Sequence, residues 1–342
     1  MVQTTATRRL SYIQAVNEAL RQEMERDESV IIMGEDIAGG GEREDFQDAW
    51  GGPMRLTKGL VGDFGRERIR DTPIAESGFV GAGVGAAATG LRPVVDLMYV
   101  GFLGVCGDQI LNNAAKIHYM FGGKVKVPLT IMTGTGAGTN SAAQHSETVY
   151  SVFTHYPGLK VVAPSNPYNA KGLYTASIRD DDPVIICNNR QLMGIRFDVD
   201  VPEDSYAVPL GKADVPREGT DVTLLGISYM TQICLQAADD LAARGYSAEV
   251  VDLLSLSPMD EDAILESVRK TRRIVIVDED YPRCSMAGDI SALVAEEAFD
   301  YLDAPPKRVQ PPHTSVPYSR PLEALFVPTK EQVVAAALET LE

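Results

Sequence analysis

Two segments of the sequence carry side chains that could transfer protons. Glu76 opens a run of small residues at 78–88, and His145 lies in the glycine-rich segment 134–147. A carboxyl group at the start of such an apolar helix would be desolvated, and an imidazole exchanges protons near neutral pH. Both residues are therefore candidates for acid–base chemistry.

Each candidate also has a purely structural interpretation. A glutamate in the first turn of a helix is often exposed and favoured by the helix dipole, and a loop histidine often bonds only to backbone. The residues alone leave these alternatives open. We assign His118, His155 and His313 to structure, and a serine hydrolase is excluded because there is no G-x-S-x-G motif.

The small residues at 81–86 match the G-x-G-x-x-A pattern of a dinucleotide-binding loop. That pattern requires a hydrophobic strand immediately before it, and none precedes it here. Close packing of a helix against a partner accounts better for these residues. A nicotinamide-dependent dehydrogenase stays as an alternative, which direct binding of NAD would reveal.

Apolar, β-branched runs alternate with helical patterns along the chain, which predicts an α/β fold with a parallel sheet covered by helices on both faces. Ser11 and Gln14 form a capping box at the first helix, and Thr329 and Gln332 form another at the last. A polar linker divides two such blocks. Predicted strands are 30–33, 92–99, 127–132, 159–163 and 183–187, then 221–226, 248–254 and 273–278; further helices are 166–179, 231–244, 260–270 and 289–299.

Composition narrows the function classes. The net charge of -17 disfavours nucleic acid as a partner. The chain has no apolar run long enough to span a membrane and no secretory signal, so we expect a cytoplasmic protein. The four cysteines are far apart without a CxxC pair, which predicts buried free thiols rather than a zinc site or disulfides.

Several longer segments resemble the β subunit of the thiamine-diphosphate-dependent 2-oxoacid dehydrogenases. The resemblance runs from about Ser11 to the C-terminus, and four segments are most similar to the acetoin dehydrogenase β subunit. The family segments are DTPIAESGFVGAGVGAAATGLRPVVDLM, ILNNAAKIHYMFGGK, AAQHSE, HYPGLKVVAPSNPYNAKGL, IRDDDPVI and PRCSMAGDISALVAEEAF; the acetoin-type segments are MGEDIAGG, DAWGG, MFGGK and PRCSMAGDISALVAEEAF.

The resemblance implies two transketolase-like domains. A pyrimidine-binding domain at 8–190 is followed by a linker at 191–219 and a smaller α/β transketolase C-terminal domain at 220–342. The second domain shows no convincing catalytic constellation, and the resemblance assigns it to subunit contacts and docking.

The resemblance also implies roles for the candidate residues. Glu76 would hydrogen-bond a ring nitrogen of thiamine diphosphate and so activate it, with Ile74, Met98 and Phe102 beside the ring. His145 would handle protons while the acyl group passes to a lipoyl arm. A potassium site would be built from Leu129, Ser177, Ile178, Asp180 and Asp182.

The implied activity needs a partner. No G-D-G motif with its asparagine is present to hold magnesium and diphosphate, so an α subunit would supply that half of the site in an α2β2 heterotetramer. The assembly would cleave acetoin and pass the acyl unit to a dihydrolipoyl acyltransferase core.

Three positions depart from the family pattern. Gly101 replaces an aspartate, Met132 an arginine and Glu147 a glutamine, and all three are expected near the substrate pocket. Loss of an arginine removes a bidentate carboxylate partner, which favours a less acidic substrate. The alternatives are a pyruvate or branched-chain 2-oxoacid dehydrogenase β subunit, or a catalytically altered subunit that serves mainly assembly.

Overall fold

The computed structural model describes residues 7–39 and 50–342, which form two compact units. The first unit contains the chain up to Gly134 together with Val152–Leu210, and the second contains Thr135–Ser151 together with Gly211–Glu342. Both alternate strands with helices, as predicted. Parts of the quoted segments MGEDIAGG and DAWGG fall in 40–49 and lie outside the described residues. The predicted domain limits stay predictions.

The chain up to Leu210 carries the larger sheet and its helices. Its strands are β1 (Thr7–Arg9), β2 (Val30–Gly34), β3 (Ile69–Asp71), β4 (Arg92–Tyr99), β5 (Thr130–Thr135), β6 (Lys160–Val162), β7 (Val184–Asn189) and β8 (Asp200–Pro202). Its helices are α1 (Tyr12–Arg26), α2 (Leu60–Phe64), α3 (Glu76–Ala88), α4 (Leu103–Gly107), α5 (Ala115–Met120), α6 (Ser151–Thr154) and α7 (Pro167–Arg179), with a π-helical segment at Asp108–Ala114 between α4 and α5.

The sheet of the first unit has the strand order β6-β7-β5-β4-β2-β3. The pairs β2–β3, β2–β4, β4–β5 and β6–β7 are parallel. From β2 the chain adds β3 on one side and then returns to add β4 on the other side. The segments that leave these strands diverge at this switch point, which is where open α/β sheets bind ligands.

Most predicted elements of the first unit are confirmed. The Ser11–Gln14 capping box starts α1, Asn166 caps α7, and β4 has the predicted bounds. The strand predicted at 127–132 is shifted and runs from Thr130 to Thr135. Pro128 explains the shift, because proline has no N–H to donate to a strand ladder.

A buried lysine ties part of the predicted linker to the first unit. The side chain of Lys171 is fully buried and its Nζ lies 2.6 Å from a carboxylate oxygen of Glu18. The same Nζ donates to the carbonyl oxygens of Pro202, Glu203 and Asp204 at 2.7, 3.0 and 3.1 Å. The segment 191–219 is therefore not uniformly irregular, and β8 within it pairs with β1.

The second unit is built on a smaller mixed sheet. Its strand order is β14-β13-β10-β11-β9, in which only β9 runs antiparallel to its neighbour. The strands are β9 (Asp214–Arg217), β10 (Val222–Gly226), β11 (Ala248–Asp252), β12 (Ser255–Ser257), which lies outside that order, β13 (Ile274–Val277) and β14 (Lys307–Val309). The helices are α8 (Tyr229–Ala242), α9 (Glu261–Thr271), α10 (Met286–Glu297), α11 (Arg320–Glu323) and α12 (Lys330–Leu341).

Two expectations for the second unit need correction. The helix predicted at 289–299 begins at Met286, because the Ser285 side chain caps it by accepting from the Gly288 N–H. Cys284, just before that cap, is exposed, although the other three cysteines are buried free thiols as predicted. Within residues 7–39 and 50–342, no helix has the length and apolar character to cross a membrane.

A buried carboxyl group shapes the end of β4. Asp96 is 1% exposed, and its Oδ1 accepts the backbone N–H of Met98 at 2.8 Å. The ladder is irregular at this point, and Met98 has a left-handed φ of 61°. Among residues 7–39 and 50–342, Asp96 Oδ2 has no hydrogen-bond partner, and burial raises the pKa of Asp96 to about 6. Asp96 thus fixes the backbone of Met98 at the cost of a desolvated oxygen.

We expect Lys171→Met to lower the free energy of unfolding by about 3 kcal/mol, because it leaves three carbonyl groups without their cation and Glu18 with only Arg8 as an ion-pair partner in the described part of the chain. Urea denaturation followed by circular dichroism measures the change. Lys212→Met is the matched control, since Lys212 is 62% exposed beside Asp260 and should contribute less than about 1 kcal/mol. Equal effects of the two substitutions would contradict the assigned role of the buried lysine.

Asp96→Asn should change how stability depends on pH. The pKa of Asp96 is raised from 3.8 to about 6 in the folded chain, so its ionisation destabilises the fold as pH rises through this window. Asparagine keeps an acceptor and cannot ionise. Between pH 4 and pH 7 the variant should therefore gain about 3 kcal/mol over the wild type in free energy of unfolding.

Urea denaturation at several pH values tests the Asp96 prediction. Asp262→Asn changes an exposed aspartate in the same way and should track the wild type across the range. A difference between Asp96→Asn and wild type that does not vary with pH would contradict the prediction.

Candidate active site

The candidate residues of the first unit lie where its sheet changes direction. Glu35 follows β2, Glu76 follows β3, and Met98 lies near the end of β4. These are the carboxyl ends of three adjacent parallel strands around the switch point. The fold therefore brings to one sheet edge side chains that are far apart in sequence.

Glu76 is a buried carboxylate at the start of a helix. It is the first residue of α3 and is 8% exposed, so the interpretation as an exposed glutamate is wrong. The turn before it is fixed by two bonds: Thr72 N–H donates to the Gly34 carbonyl at 3.0 Å, and Ala38 N–H donates to Asp71 Oδ1 at 2.6 Å. The helix dipole favours a negative charge at this position, whereas burial disfavours it.

The charge of Glu76 acts on Glu35 and Cys106. Burial raises the pKa of Glu35, and the negative charges of Asp36 and Glu76 raise it further. Burial also raises the pKa of the Cys106 thiol to about 12, with a smaller contribution from Glu76. The sequence analysis missed Glu35; the available signal was an acidic residue directly after a buried strand.

The apolar residues predicted beside Glu76 have different environments. Met98 and Phe102 are half-buried, and Phe102 packs edge-to-face on Tyr99 with ring centroids 5.6 Å apart. Ile74 is 76% exposed, in the turn that leads into Glu76. The guanidinium of Arg190 lies 5.2 Å from the centre of the Tyr99 ring. The carboxyl ends of the strands around the switch point thus carry both a buried acid and half-buried apolar side chains.

The glycines of α3 serve close packing. A Cβ added at Gly83 would lie 2.7 Å from Cγ2 of Val95 in β4, and one added at Gly81 would lie 2.9 Å from Oε1 of Gln109. Both glycines lie inside the helix rather than in a turn between strand and helix. The packing interpretation is supported, and the dinucleotide-loop alternative lacks the turn that it needs.

His145 lies in the second unit, within the segment Thr135–Ser151. It ends a single 3-10 turn, Ala143–His145, and is partly exposed. Nearby, burial raises the pKa of Glu147, and a hydrogen bond with Tyr281 opposes that shift. Glu76 and His145 therefore belong to different units, and their joint role stays a prediction.

Four of the five residues of the predicted potassium site, all except Leu129, lie at the end of α7 or directly after it. Both carboxylate oxygens of Asp180 accept from Lys160 Nζ at 2.8 Å, and Asp182 lies 3.1 Å from the same nitrogen. Arg92 donates to the carbonyl oxygens of Ile178 and Asp180 at 3.1 and 2.9 Å. The chain's own cations thus bind these oxygens, and potassium binding stays a prediction. The five predicted ligands are Leu129, Ser177, Ile178, Asp180 and Asp182.

The described part of the chain contains no group of three or more His, Cys, Asp or Glu side chains arranged to hold a metal ion. Met132, which departs from the family pattern, is fully buried in β5 as the register partner of Asp96. It therefore belongs to the interior of the sheet. Gly101 lies in the 3-10 turn Val100–Phe102 after β4.

Comparison with known proteins matches both parts of the chain. Residues 8–195 match the family model described as "Transketolase, pyrimidine binding domain", and residues 211–333 match "Transketolase, C-terminal domain". A solved structure described as "Split gene transketolase, inactive beta4 tetramer" aligns with a TM-score of 0.76 over 98% of this chain and 99% of that chain. Its sequence identity is 21%, so it supports the fold alone.

Curated relatives are similar over nearly their full length. The "Acetoin:2,6-dichlorophenolindophenol oxidoreductase subunit beta" of Bacillus subtilis is 52% identical, covering 97% of each chain, and the protein of the same name from Cupriavidus necator is 51% identical, covering 98% of each. The "2-oxoisovalerate dehydrogenase subunit beta" of Bacillus subtilis is 39% identical, covering 97% of this chain and 99% of its own.

These matches confirm the predicted α/β fold with two transketolase-like domains and the resemblance stated from the sequence. The matched models cover most of the chain, and the relatives align with 97–98% of it. The chain therefore belongs to the family of dehydrogenase β subunits that includes the acetoin and 2-oxoacid enzymes.

Proposed function

We propose that this chain is the β subunit of a thiamine-diphosphate-dependent acetoin dehydrogenase. The observation that carries the chemistry is Glu76, an 8% exposed carboxylate at the switch point of the first sheet. The choice of substrate is supported by relatives that are 52% and 51% identical and carry acetoin in their names, against 39% for the 2-oxoisovalerate relative.

The residues around Glu76 fit a flat, nitrogen-containing ring. A buried acid can hold a proton against a ring nitrogen, and the half-buried Met98 and Phe102 offer apolar surface to the ring faces. Ile74, exposed in the preceding turn, would cover the ring edge and exclude water. When bound, thiamine diphosphate supplies a carbon nucleophile and an electron sink for cleavage of a carbon–carbon bond.

The second half of the site requires another chain. The Gly-Asp pairs at 62–63 and 107–108 lie in or next to the helices α2 and α4, and neither is followed by a second glycine. We therefore assign magnesium and the diphosphate to an α subunit, in an α2β2 assembly located in the cytoplasm. The isolated β subunit should be inactive.

His145 would handle protons as the acyl unit passes to a lipoyl group on an acyltransferase core. Its partial exposure supports this role, because an incoming arm must reach the imidazole. Potassium at the end of α7 belongs to the same proposal and would have to compete with Lys160 for Asp180. The catalytically altered alternative has no support from the relatives, and both Glu76 and His145 are present.

A 2-oxoacid dehydrogenase is the second candidate function. It is favoured by relatives such as the "Pyruvate dehydrogenase E1 component subunit beta" of Rickettsia felis, which is 42% identical over 94% of this chain. The chemistry at Glu76 would be the same for both candidates. Only the substrate would differ, so a substrate comparison separates them.

Glu76→Gln should lower dye-linked acetoin oxidation at least about 100-fold, because the amide cannot exchange the proton that the carboxyl group holds. The assay uses the chain reconstituted with its α subunit, thiamine diphosphate and magnesium, and compares acetoin, pyruvate and branched-chain 2-oxoacids. Exposed Glu67→Gln serves as the matched control and should keep wild-type activity. A preference for a 2-oxoacid would reject acetoin as substrate, and full activity of Glu76→Gln would reject the site.

His145→Asn should lower the lipoyl-dependent reaction about 100-fold, since asparagine retains hydrogen bonding but cannot transfer a proton at neutral pH. Acylation of a lipoyl domain by the reconstituted enzyme, followed from pH 5.5 to 8.5, measures the effect. The variant should also lose the part of the wild-type pH profile that reports the imidazole. An unchanged rate and profile would exclude His145 from acyl transfer.

A further inference from the structure

The segment that carries His145 is held along its length by acidic side chains of the second unit. Near its start, the Ala137 N–H donates to Glu279 Oε1 at 2.7 Å. Near its end, the Tyr150 hydroxyl donates to Asp278, and the Ser151 hydroxyl donates to Asp280 Oδ2 at 2.6 Å. These contacts fix both ends of the segment, and the contacts of Asn140 fix its middle.

Asn140 is held by two residues of α11. Glu323 accepts the backbone N–H of Asn140 at 2.9 Å and its Nδ2 at 2.8 Å, and Glu323 also accepts the Gly138 N–H at 2.7 Å. Arg320 Nε donates to Asn140 Oδ1 at 2.7 Å. Both polar atoms of the asparagine side chain are therefore bound.

The backbone between Asn140 and His145 is strained. Asn140 has φ 55° and Ala142 has φ 60°, both in the left-handed region. Asparagine tolerates this region, but alanine rarely adopts it. Ala142 directly precedes the 3-10 turn that ends at His145. Such conformations persist only where surrounding contacts impose them, and Asn140, two residues before Ala142, is anchored by contacts of this kind.

The contacts with this segment explain why the Glu323 carboxylate can be buried. It is 2% exposed although it lies in a four-residue helix whose other residues are exposed. A buried carboxylate is costly unless N–H groups compensate it. The N–H groups recorded on its carboxylate in the described part of the chain come from Gly138 and Asn140.

We propose that Glu323, together with Arg320, is a positioning residue for His145: it clamps Asn140 and so holds the strained turn that presents the imidazole. The inference rests on the proposed role of His145 in acyl transfer. Helix α11 carries no proposed catalytic group, yet it would affect the rate of acyl transfer through this contact.

The test is a double-mutant cycle in the reconstituted enzyme. In Glu323→Gln, one acceptor oxygen becomes an amide that faces N–H donors, which should release Asn140. We expect the lipoyl-dependent rate to fall about 10-fold in the wild-type background, because small displacements of a catalytic group have large effects on rate. In the His145→Asn background the further loss should be below about 2-fold, since the two residues then act as one unit.

Arg320→Gln provides a second, milder variant in case Glu323→Gln misfolds. Arg320 is exposed, and its substitution removes only one bond to Asn140. It should show the same coupling to His145 with a smaller loss. Glu339→Gln is the matched control, since Glu339 is 63% exposed beside Lys307, and it should keep the wild-type rate. Equal fold-losses in both backgrounds, or no loss from either variant, would overturn the proposal.

Amide hydrogen exchange separates this inference from the proposed function. Exchange at Gly138 and Asn140 should become faster in Glu323→Gln and stay unchanged in Glu339→Gln. If His145→Asn kept the full rate, the proposed role of His145 would be wrong. Amide exchange would then still test whether Glu323 holds Asn140. Unchanged exchange at both amides in Glu323→Gln would overturn the clamp whatever the activity.

Discussion

The buried carboxyl group of Asp96 is the constraint on which the first unit's candidate site depends. It holds the N–H of Met98 in a left-handed conformation, and so sets the direction in which β4 ends. It also restricts its neighbours: a Cβ at Gly34 would lie 2.8 Å from the Asp96 Cβ, and one at Gly52 would lie 3.3 Å from Oδ2. Because Gly34 accepts the Thr72 N–H, the turn that leads to Glu76 is built on the same packing.

The burial of Asp96 affects how the departure from the family pattern at Met132 is interpreted. Register partners on adjacent parallel strands project to the same face of a sheet, so the Met132 side chain neighbours the Asp96 carboxyl group. An arginine there, as the resemblance implies for the family, would place a cation beside that carboxyl group and compensate its burial. Methionine supplies no charge, and burial is the main cause of the raised pKa of Asp96. Met132 thus provides no charge to compensate the burial of Asp96 at its register position on β5.

Sequence patterns predicted what depends on nearby residues and missed what depends on distant ones. The two capping boxes and the bounds of β4 follow from local side chains and hydrophobic periodicity, and they are confirmed. The strands β8 and β9 were missed, because their partners β1 and β11 are distant in sequence and their own residues alternate only weakly. Glu35 was missed for a related reason, since its proximity to Glu76 arises only when β2 and β3 pair.

Buried charged side chains also determine which unit a polar segment joins. The hydrophobic periodicity of the sequence says little about this. Lys171 binds the carbonyl groups of 202–204 to the first unit, whereas Glu279 and Glu323 bind the His145 segment to the second. Lys171 compensates three backbone carbonyl groups and Glu323 compensates two backbone N–H groups that would otherwise be desolvated. Removing such a charge leaves those groups unsatisfied, so the attachment is specific as well as strong. If His145 acts as proposed, the second unit, for which the sequence indicated no catalytic constellation, contains this histidine and holds its segment through these charges.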